Sequence, residues 1–391
     1  MIQTKYDSQL KGKQPSRLVL LVFLYLVWGW QTSKAQITNP AVMDTVDVVL
    51  PGKLIIGAYV DAYFGYNERA QSGSDQAYGV SFERNNEFAI NMAYLDVKYV
   101  AQDIRARLVP GFGTYMAANY NLEPIQLRNF VEASVGFRVW RGRNVWLDAG
   151  VIGSPYTNES AISRDHLMLT RSLAAEYAPY YLTGVKFSAS LSTKFNLALY
   201  VLNGWQNIQE TNKQKSVGSQ LEYRPTDKLL LNWNTYIGYE ESILTPQQRG
   251  RYFSDIYLVY NPQGKFSATA CLYGGLQQVQ DTVGDQAIKV NRWACANAIG
   301  RYRLNPKTSI SGRIEWFSDP GASVSSNINL PLGRGLQTWS GSLCLNYRYN
   351  DLLLLRLEGK RFWGGNDPFH DQEGNAVATN TYLVGGINII Y

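Results

Sequence analysis

Histidine and cysteine are nearly missing from this chain of 391 residues, which holds two of the first and three of the second. The histidines, His166 and His370, are far apart in sequence and both fall in segments that read as loops. A hydrolase needs an imidazole held beside its nucleophile by rigid elements, and Ser163 and Asp165 are too close along the chain to His166 to complete a triad with it. No catalytic activity is expected. Cys271, Cys295 and Cys344 are too few and too scattered for a metal site. Cys271 and Cys295 share a parity and could face each other in an oxidising compartment, but directly paired strands hold cysteines in strained geometry, so free thiols are expected. Phosphate-cradling glycine loops, CxxC pairs and EF-hand loops are also absent. The acids in DPGAS at 319 and GGND at 364 fit solvated turns better than calcium ligands. No cofactor or metal is expected.

Long apolar runs are scarce as well. The one candidate, Leu18 to Trp30, has 13 residues, fewer than the roughly 20 that span a bilayer as a helix. Lys11, Lys13 and Arg17 precede it and Ser33-Lys34-Ala35 follows it, the layout of a secretory signal peptide cleaved after Ala35. Residues 36–52 then form a periplasmic N-terminal segment, and 53–391 the folded body. Removing 1–35, with five basic residues and one acid, lowers the net charge from +6 to about +2. The pI near 9.0 therefore gives little reason to expect a nucleic-acid partner, and no basic block with interleaved aromatics follows.

What the chain does have is 27 Tyr, 10 Trp and 34 Gly at a mean hydropathy of only −0.23. Aromatic and glycine enrichment without helical spans suits a transmembrane β-barrel, in which only every second residue of a strand meets lipid. Strict two-residue alternation recurs accordingly. Over Leu54 to Asn67, Leu54, Ile56, Ala58, Val60, Ala62 and Phe64 share one face, with Tyr59, Asp61, Tyr63 and Asn67 on the other. The pattern repeats at 88–100, 104–114, 131–140, 145–154, 181–191, 195–205, 216–224, 229–240, 251–260, 265–279, 289–303, 308–318, 338–349, 352–362 and 379–391. These are 16 candidate strands; 88–100 and 251–260 are ragged, which leaves 14 as the other count.

The connections alternate too. Short turns at AQD 101, RGRN 141, LSTK 191, RPTDK 224, NPQGK 261, LNPK 304 and YND 349 fall between longer stretches at 68–85, 115–130, 155–180, 206–215, 241–250, 280–288, 319–337 and 363–378. Short periplasmic turns and long extracellular loops characterise an all-β, antiparallel, up-and-down outer-membrane barrel, whereas a soluble sandwich has no reason for the asymmetry. The closing YLVGGINIIY, ending on Tyr391, suits a last strand read by the outer-membrane assembly machinery.

Energy sets which face meets lipid. Arg105 and Arg107 alternate with Ile104, Ala106 and Leu108, and an arginine in the bilayer midplane costs about 2–4 kcal/mol. A one-residue slip would put both there. The same reasoning turns Glu132, Arg138, Asp148, Lys186, Glu222, Arg313, Glu315, Arg348, Arg356, Glu358 and Lys360 inward. These charges either line a pore with a transverse field or satisfy one another as ladders, Arg313 beside Glu315 and Arg356 beside Glu358. The small excess of Arg and Lys among them favours anions.

The third long connection, 155–180, is the longest. It reads as helical from about His166 to Ala178, with Leu169, Leu173 and Tyr177 four apart. By analogy with trimeric porins, whose third loop folds inward, Glu159, Arg164, Asp165, Arg171 and Glu176 are candidates for a constriction; a helix lying over the barrel mouth is the other reading.

GSPYTNES at 153, TRSLAAEYAPYYLTGVK at 170, VLNGWQNI at 201, YIGYE at 236, GRIEWFSDP at 312 and LLRLEGKRF ending at Phe362 occur in an order that resembles the OmpL-like family of β-barrel outer-membrane porins. The likeness runs from about Lys53 to Tyr391. It implies an outer-membrane barrel with pore activity and carries over no catalytic or ligand-binding residue. Around 16 strands leave an aqueous channel, so the expected function is passive diffusion of small hydrophilic solutes through a barrel narrowed by the third loop. The alternative is a non-conducting barrel whose loops bind a ligand or partner. Expected partners are outer-membrane lipid, the assembly machinery and the solutes, with a homotrimer by analogy.

Overall fold

The computed structural model describes residues 52–69, 79–280, 287–325, 335–365 and 367–391. The expected signal peptide, 1–35, lies outside them, as does the 36–52 segment apart from Gly52.

Alternation of apolar and polar side chains forces extended backbone with one face hidden, and the chain meets this demand by closing on itself. The strands β1 (Lys53–Asn67), β2 (Phe88–Val100), β3 (Ile104–Phe112), β4 (Phe130–Arg138), β5 (Val145–Gly153), β6 (Tyr181–Ser190), β7 (Phe195–Leu202) and β8 (Ser216–Thr226) form half of a barrel. The other half is β9 (Leu229–Tyr239), β10 (Gln248–Tyr260), β11 (Phe266–Gln280), β12 (Ile288–Arg303), β13 (Thr308–Ser318), β14 (Gln337–Arg348), β15 (Leu353–Gly364) and β18 (Thr379–Ile390). Neighbours in sequence are neighbours in the sheet, all antiparallel, and β18 closes onto β1 from Tyr59 opposite Ile390 to Asn67 opposite Tyr382. The barrel thus has 16 strands, with the seven expected short turns at one rim. Two small strands, β16 (Phe369–His370) and β17 (Ala376–Val377), pair as a hairpin inside the last long connection, so His370 sits on a short strand and not in an irregular loop.

One of the two ragged stretches, 88–100, has a physical cause. The pairing of β1 with β2 slips between Asp61 and Ala62, which leaves Asn91 as an extra residue, and both Asn91 and Met92 are buried. A bulge of this kind puts two successive side chains on one face and scrambles the period. A second slip, between Gln248 and Arg251, buries Gly250 and Arg251 together just ahead of 251–260, where burial alternates from Arg251 to Ile256.

Outside, the wall is apolar. Leu272, Ile256, Ile314, Leu343 and Leu357 are all exposed. Phe137, Tyr260, Tyr302 and Tyr347 ring the short-turn end, while Tyr66, Phe88, Phe112, Trp339 and Trp363 ring the other, and all nine are exposed. An apolar band between two aromatic girdles is the surface that a bilayer requires of a barrel. Among the described residues no helix is long and apolar enough to cross a membrane.

Inside, the barrel is filled. The connection after β5 contributes a 3-10 turn, Ser163–Asp165, and a helix α2 (Leu173–Glu176), and the connection after β3 contributes α1 (Thr114–Asn119). Leu169, Leu173, Ala174, Met168, Tyr115 and Tyr120 are almost completely buried within the barrel. The helix expected from His166 to Ala178 is therefore only four residues long. The reason is competition for backbone donors: Thr170, Ser172 and Leu173 give their N–H groups to the carboxylates of Glu358 (2.8 Å), Glu159 (2.7 Å) and Glu315 (2.6 Å). A helix can begin only after those donors are spent.

Candidate functional site

The segment between β5 and β6 is pinned to the wall residue by residue. At its start Thr157 N–H donates to Asp255 at 2.6 Å, and Asn158 donates to Thr269 (3.0 Å) and Asn297 (2.9 Å). Further along, Arg313 donates to the carbonyl of Thr170 at 2.8 Å and forms an ion pair with Glu358 at 2.9 Å. The Thr170 hydroxyl donates to the same carboxylate at 2.6 Å. Glu315 is held by Lys360 at 2.7 Å, Arg313 at 3.4 Å and the Ser340 hydroxyl at 2.5 Å. Arg313, Glu315, Glu358 and Lys360 are buried. A buried charge is tolerable only when paired and hydrogen-bonded, and this quartet meets the condition by enclosing the loop backbone.

Arg356 departs from the expected ladder. It does not pair with Glu358; its guanidinium donates to the carbonyls of Ser163 (2.7 Å), Met168 (2.6 Å) and His166 (2.9 Å). Arg164 then donates to the carbonyls of Leu352, at 2.8 Å, and Asp351, in the turn between β14 and β15. The loop enters at the long-loop end and reaches the opposite rim.

The remaining loop candidates are placed as follows. Arg171 donates to the carbonyl of Ser160 at 3.0 Å and to the Ser81 hydroxyl, and lies over the rings of Tyr115 and Tyr180 at 4.6 and 4.9 Å. Glu176 accepts from Val80 N–H at 2.7 Å. Glu159 is buried, and burial pushes its carboxyl up, opposed by Arg313. Asp165 is exposed and makes no ion pair among the described residues. His166 is buried; that burial, then the charges of Arg171 and Arg356, push its imidazole well below the usual histidine range. Its neighbour Ser163 gives its hydroxyl proton to the Leu169 carbonyl at 2.7 Å, so the two do not form a nucleophile and base.

On the opposite wall the charges pair across strands. Arg105 and Asp148 meet at 2.5 Å, although β4 separates their strands. Gly136 lies between them in register, and a Cβ there would collide with the Asp148 carboxylate, so the missing side chain is what lets the pair close. Arg107 pairs with Glu132 at 2.6 Å and with Asp96 at 2.9 Å. Arg138 reaches Asp103 at 3.3 Å, and Glu222 accepts from Asn196 at 3.2 Å. Lys186 lies in register with Asp148 without an ion pair among the described residues. Arg348 is exposed at the short-turn rim. Between this wall and the loop lies a cavity of about 210 Å³, bordered by Arg107, Glu132, Tyr94, Tyr156, Asp165 and Tyr180 among others.

Alternation could have found further enclosed groups. Asp61, Asp96, Arg251, Asp255, Arg301 and Arg303 all follow it, and Asp61 accepts from Asn388 at 2.8 Å and Asn91 at 3.1 Å. The second connection gave no such signal. Tyr115 and Tyr120 are buried against Tyr180 and Tyr181, and Glu123 accepts from the Tyr181 hydroxyl at 2.8 Å and Ile208 N–H at 2.7 Å. Asp319 is buried and so does not sit in the solvated turn expected of it; its carboxylate accepts from the N–H groups of Ser323, Val324 and Ser325, each at 2.9 Å, which fold the connection around it. Cys271, Cys295 and Cys344 are free and buried. Cys271 stands opposite Asn297 and Cys295 opposite Tyr273, so the two are diagonal neighbours and do not face each other.

Residues 53–390 match the family model described as "Putative beta-barrel porin-2, OmpL-like". Among solved structures, an anion-selective porin from Comamonas acidovorans superposes with a TM-score of 0.57 at 8% identity, covering 87% of this chain and 100% of that one. OmpF of Salmonella typhi gives 0.57 at 10% identity, with 87% and 98% covered. The outer-membrane channel DcaP of Acinetobacter baumannii gives 0.56 at 11%, with 86% and 97% covered. At such identities the likeness shows the fold. No curated protein matches the sequence.

Proposed function

The chain belongs to the family described as putative β-barrel porin-2, OmpL-like, and from that premise we propose that small hydrophilic solutes diffuse through its barrel across the bacterial outer membrane. The path runs between the loop after β5 and the wall of β2–β5. The observation that carries this reading is the cavity of about 210 Å³ edged by Arg107, Glu132 and Asp165, where charges of both signs line the space and favour polar solutes over apolar ones. Arg105, Asp148, Lys186, Glu222 and Arg138 extend that polar wall. Arg313, Glu315, Arg356, Glu358 and Lys360 act differently: they anchor the constricting loop. Glu159, Arg164, Arg171 and Glu176 hold its shape, leaving Asp165 as the loop charge that faces solute.

One observation favours the alternative of a non-conducting barrel. The loop spans the lumen as far as Leu352, while Tyr115 and Tyr120 close the space beside it. Planar-bilayer recording separates the two readings. Stable unit steps from the purified protein, enlarged when residues 157–176 are replaced by a short Gly-Ser linker, support the porin. Silence over many insertions, with steps appearing only in the shortened variant, supports the closed barrel. Cleavage after Ala35, recognition of the strand ending in Tyr391 by the assembly machinery and a trimeric state belong to the same proposal; OmpT of Vibrio cholerae, a structural neighbour at a TM-score of 0.51, is described in a trimer form.

A further inference from the structure

We propose that the enclosed face of β12–β15, at the short-turn end, holds a binding site for a small multivalent oxyanion, with inorganic phosphate as its simplest representative. A cavity of about 90 Å³ lies there, bordered by Arg164, Arg301, Arg303, Lys307, Arg348 and Arg356. That is several times the roughly 10–15 Å³ that a single water needs. Parity places the strand residues of this group inside the barrel, since Ser309 and Asn346, which share the lining, are buried.

The pairing pattern sets this group apart. Arg105, Arg107, Arg313 and Lys360 each meet a carboxylate at 3.0 Å or closer. None of the six residues around the cavity makes an ion pair among the described residues, and no carboxylate borders it. Their hydrogen bonds go to neutral oxygens. Arg301 donates to the carbonyl of Pro262 (2.5 Å) and the hydroxyl of Ser267 (3.0 Å), and Arg303 to the carbonyl of Gln263 (2.8 Å). Arg164 and Arg356 donate to loop and turn carbonyls. Carbonyls orient a guanidinium without cancelling its charge. The Nε–H groups of Arg301 and Arg356 are buried and have no hydrogen-bond partner among the described residues, and the Arg356 side chain is almost wholly enclosed.

Six cations in one cavity repel each other, a cost that a fold keeps only where something compensates it. An oxyanion with two or more charges offers several acceptor oxygens to these forked donors, whereas chloride offers a single charge and no fork geometry. The loop's own Asp165 feels the charges of Arg164 and Arg356 but makes no ion pair with any of the six among the described residues, so it offsets them only in part and an anion from solution supplies the rest. That the site binds stands on its own; that it selects permeating solutes rests on the porin reading.

Calorimetry on the purified full-length protein in detergent tests this, with inorganic phosphate titrated against chloride at matched ionic strength. Saturable phosphate binding is expected, weakened roughly tenfold or more in an Arg301→Gln, Arg348→Gln double variant. Lys307→Gln, on an exposed turn where folding is not at stake, weakens it less, and Arg141→Gln, outside the cavity, leaves it unchanged. Absence of saturable binding in the wild type, or equal affinity in the double variant and in Lys307→Gln, overturns the inference. A protein that conducts without binding phosphate removes this site and leaves the porin reading intact. One that binds phosphate without conducting does the reverse.

Discussion

Arg164, on the loop between β5 and β6, donates a hydrogen bond at 2.8 Å to the carbonyl of Leu352, in the turn between β14 and β15 at the far rim. A long arginine held at its tip by main-chain oxygens works as a tether. Arg164→Ala removes those bonds, each worth about 0.5–1.5 kcal/mol net. Hydrogen exchange measured by mass spectrometry is expected to quicken over residues 160–168, while β12–β15 keep their protection. Unchanged exchange in the loop would show that the tether bears no load.

Glu358 carries more. It receives Arg313 and both donors of Thr170 where no water screens them. Glu358→Ala leaves Arg313 only its longer 3.4 Å pairing with Glu315, which Lys360 shares, and so leaves a net positive charge buried; breaking a buried pair in this way costs about 3–5 kcal/mol. Urea unfolding of the refolded barrel should show that loss, with Glu358→Gln intermediate because it keeps an acceptor. Single-channel current should rise in both, since the loop loses its mid-lumen anchor.

Acidification should loosen the same loop through His166. Its imidazole stays neutral in the folded protein because burial, then Arg171 and Arg356, disfavour the charged form. In the unfolded chain it takes up a proton near pH 6.5. Below that pH the unfolded state binds the extra proton, so folding stability falls as pH falls, by at most about 1.4 kcal/mol per unit. Between pH 7.5 and 5 the wild type should therefore lose more stability than His166→Gln, as read by urea midpoints at each pH. Parallel pH profiles for the two proteins would rule out this role.

The three cysteines should resist alkylation while the barrel is folded and take up three labels after unfolding, with the same mass before and after reduction. The diagonal placement of Cys271 and Cys295 and the burial of all three thiols lead to this result. Labelling of the native protein would mean that the lumen around them opens.

Sequence alone determined the wall. Alternation at period two is a strictly local signal, because a strand with one face in lipid cannot misplace a single side chain without putting an Arg105 or an Arg356 into hydrocarbon. The strand count, the order of short and long connections and the enclosed parity of Arg313, Glu315, Glu358 and Lys360 all follow from it. It faltered at Asn91 and Gly250, where a bulge inserts an extra residue.

The contents of the barrel were decided by tertiary structure. Leu169, Leu173 and Tyr177 have helical spacing, yet Glu315, Glu358 and Glu159 take the N–H groups on which a longer helix would depend. Those carboxylates come from strands more than a hundred residues away or from across the same loop, and no local pattern announces them. Likewise the alternation says that Arg356 points inward, but only the closed barrel brings it to the carbonyls of Ser163, His166 and Met168 and leaves Glu358 to Arg313. Which charges hold the loop and which face the cavity is settled by long-range pairing, since a charge in a low-dielectric interior goes to whichever partner the fold delivers.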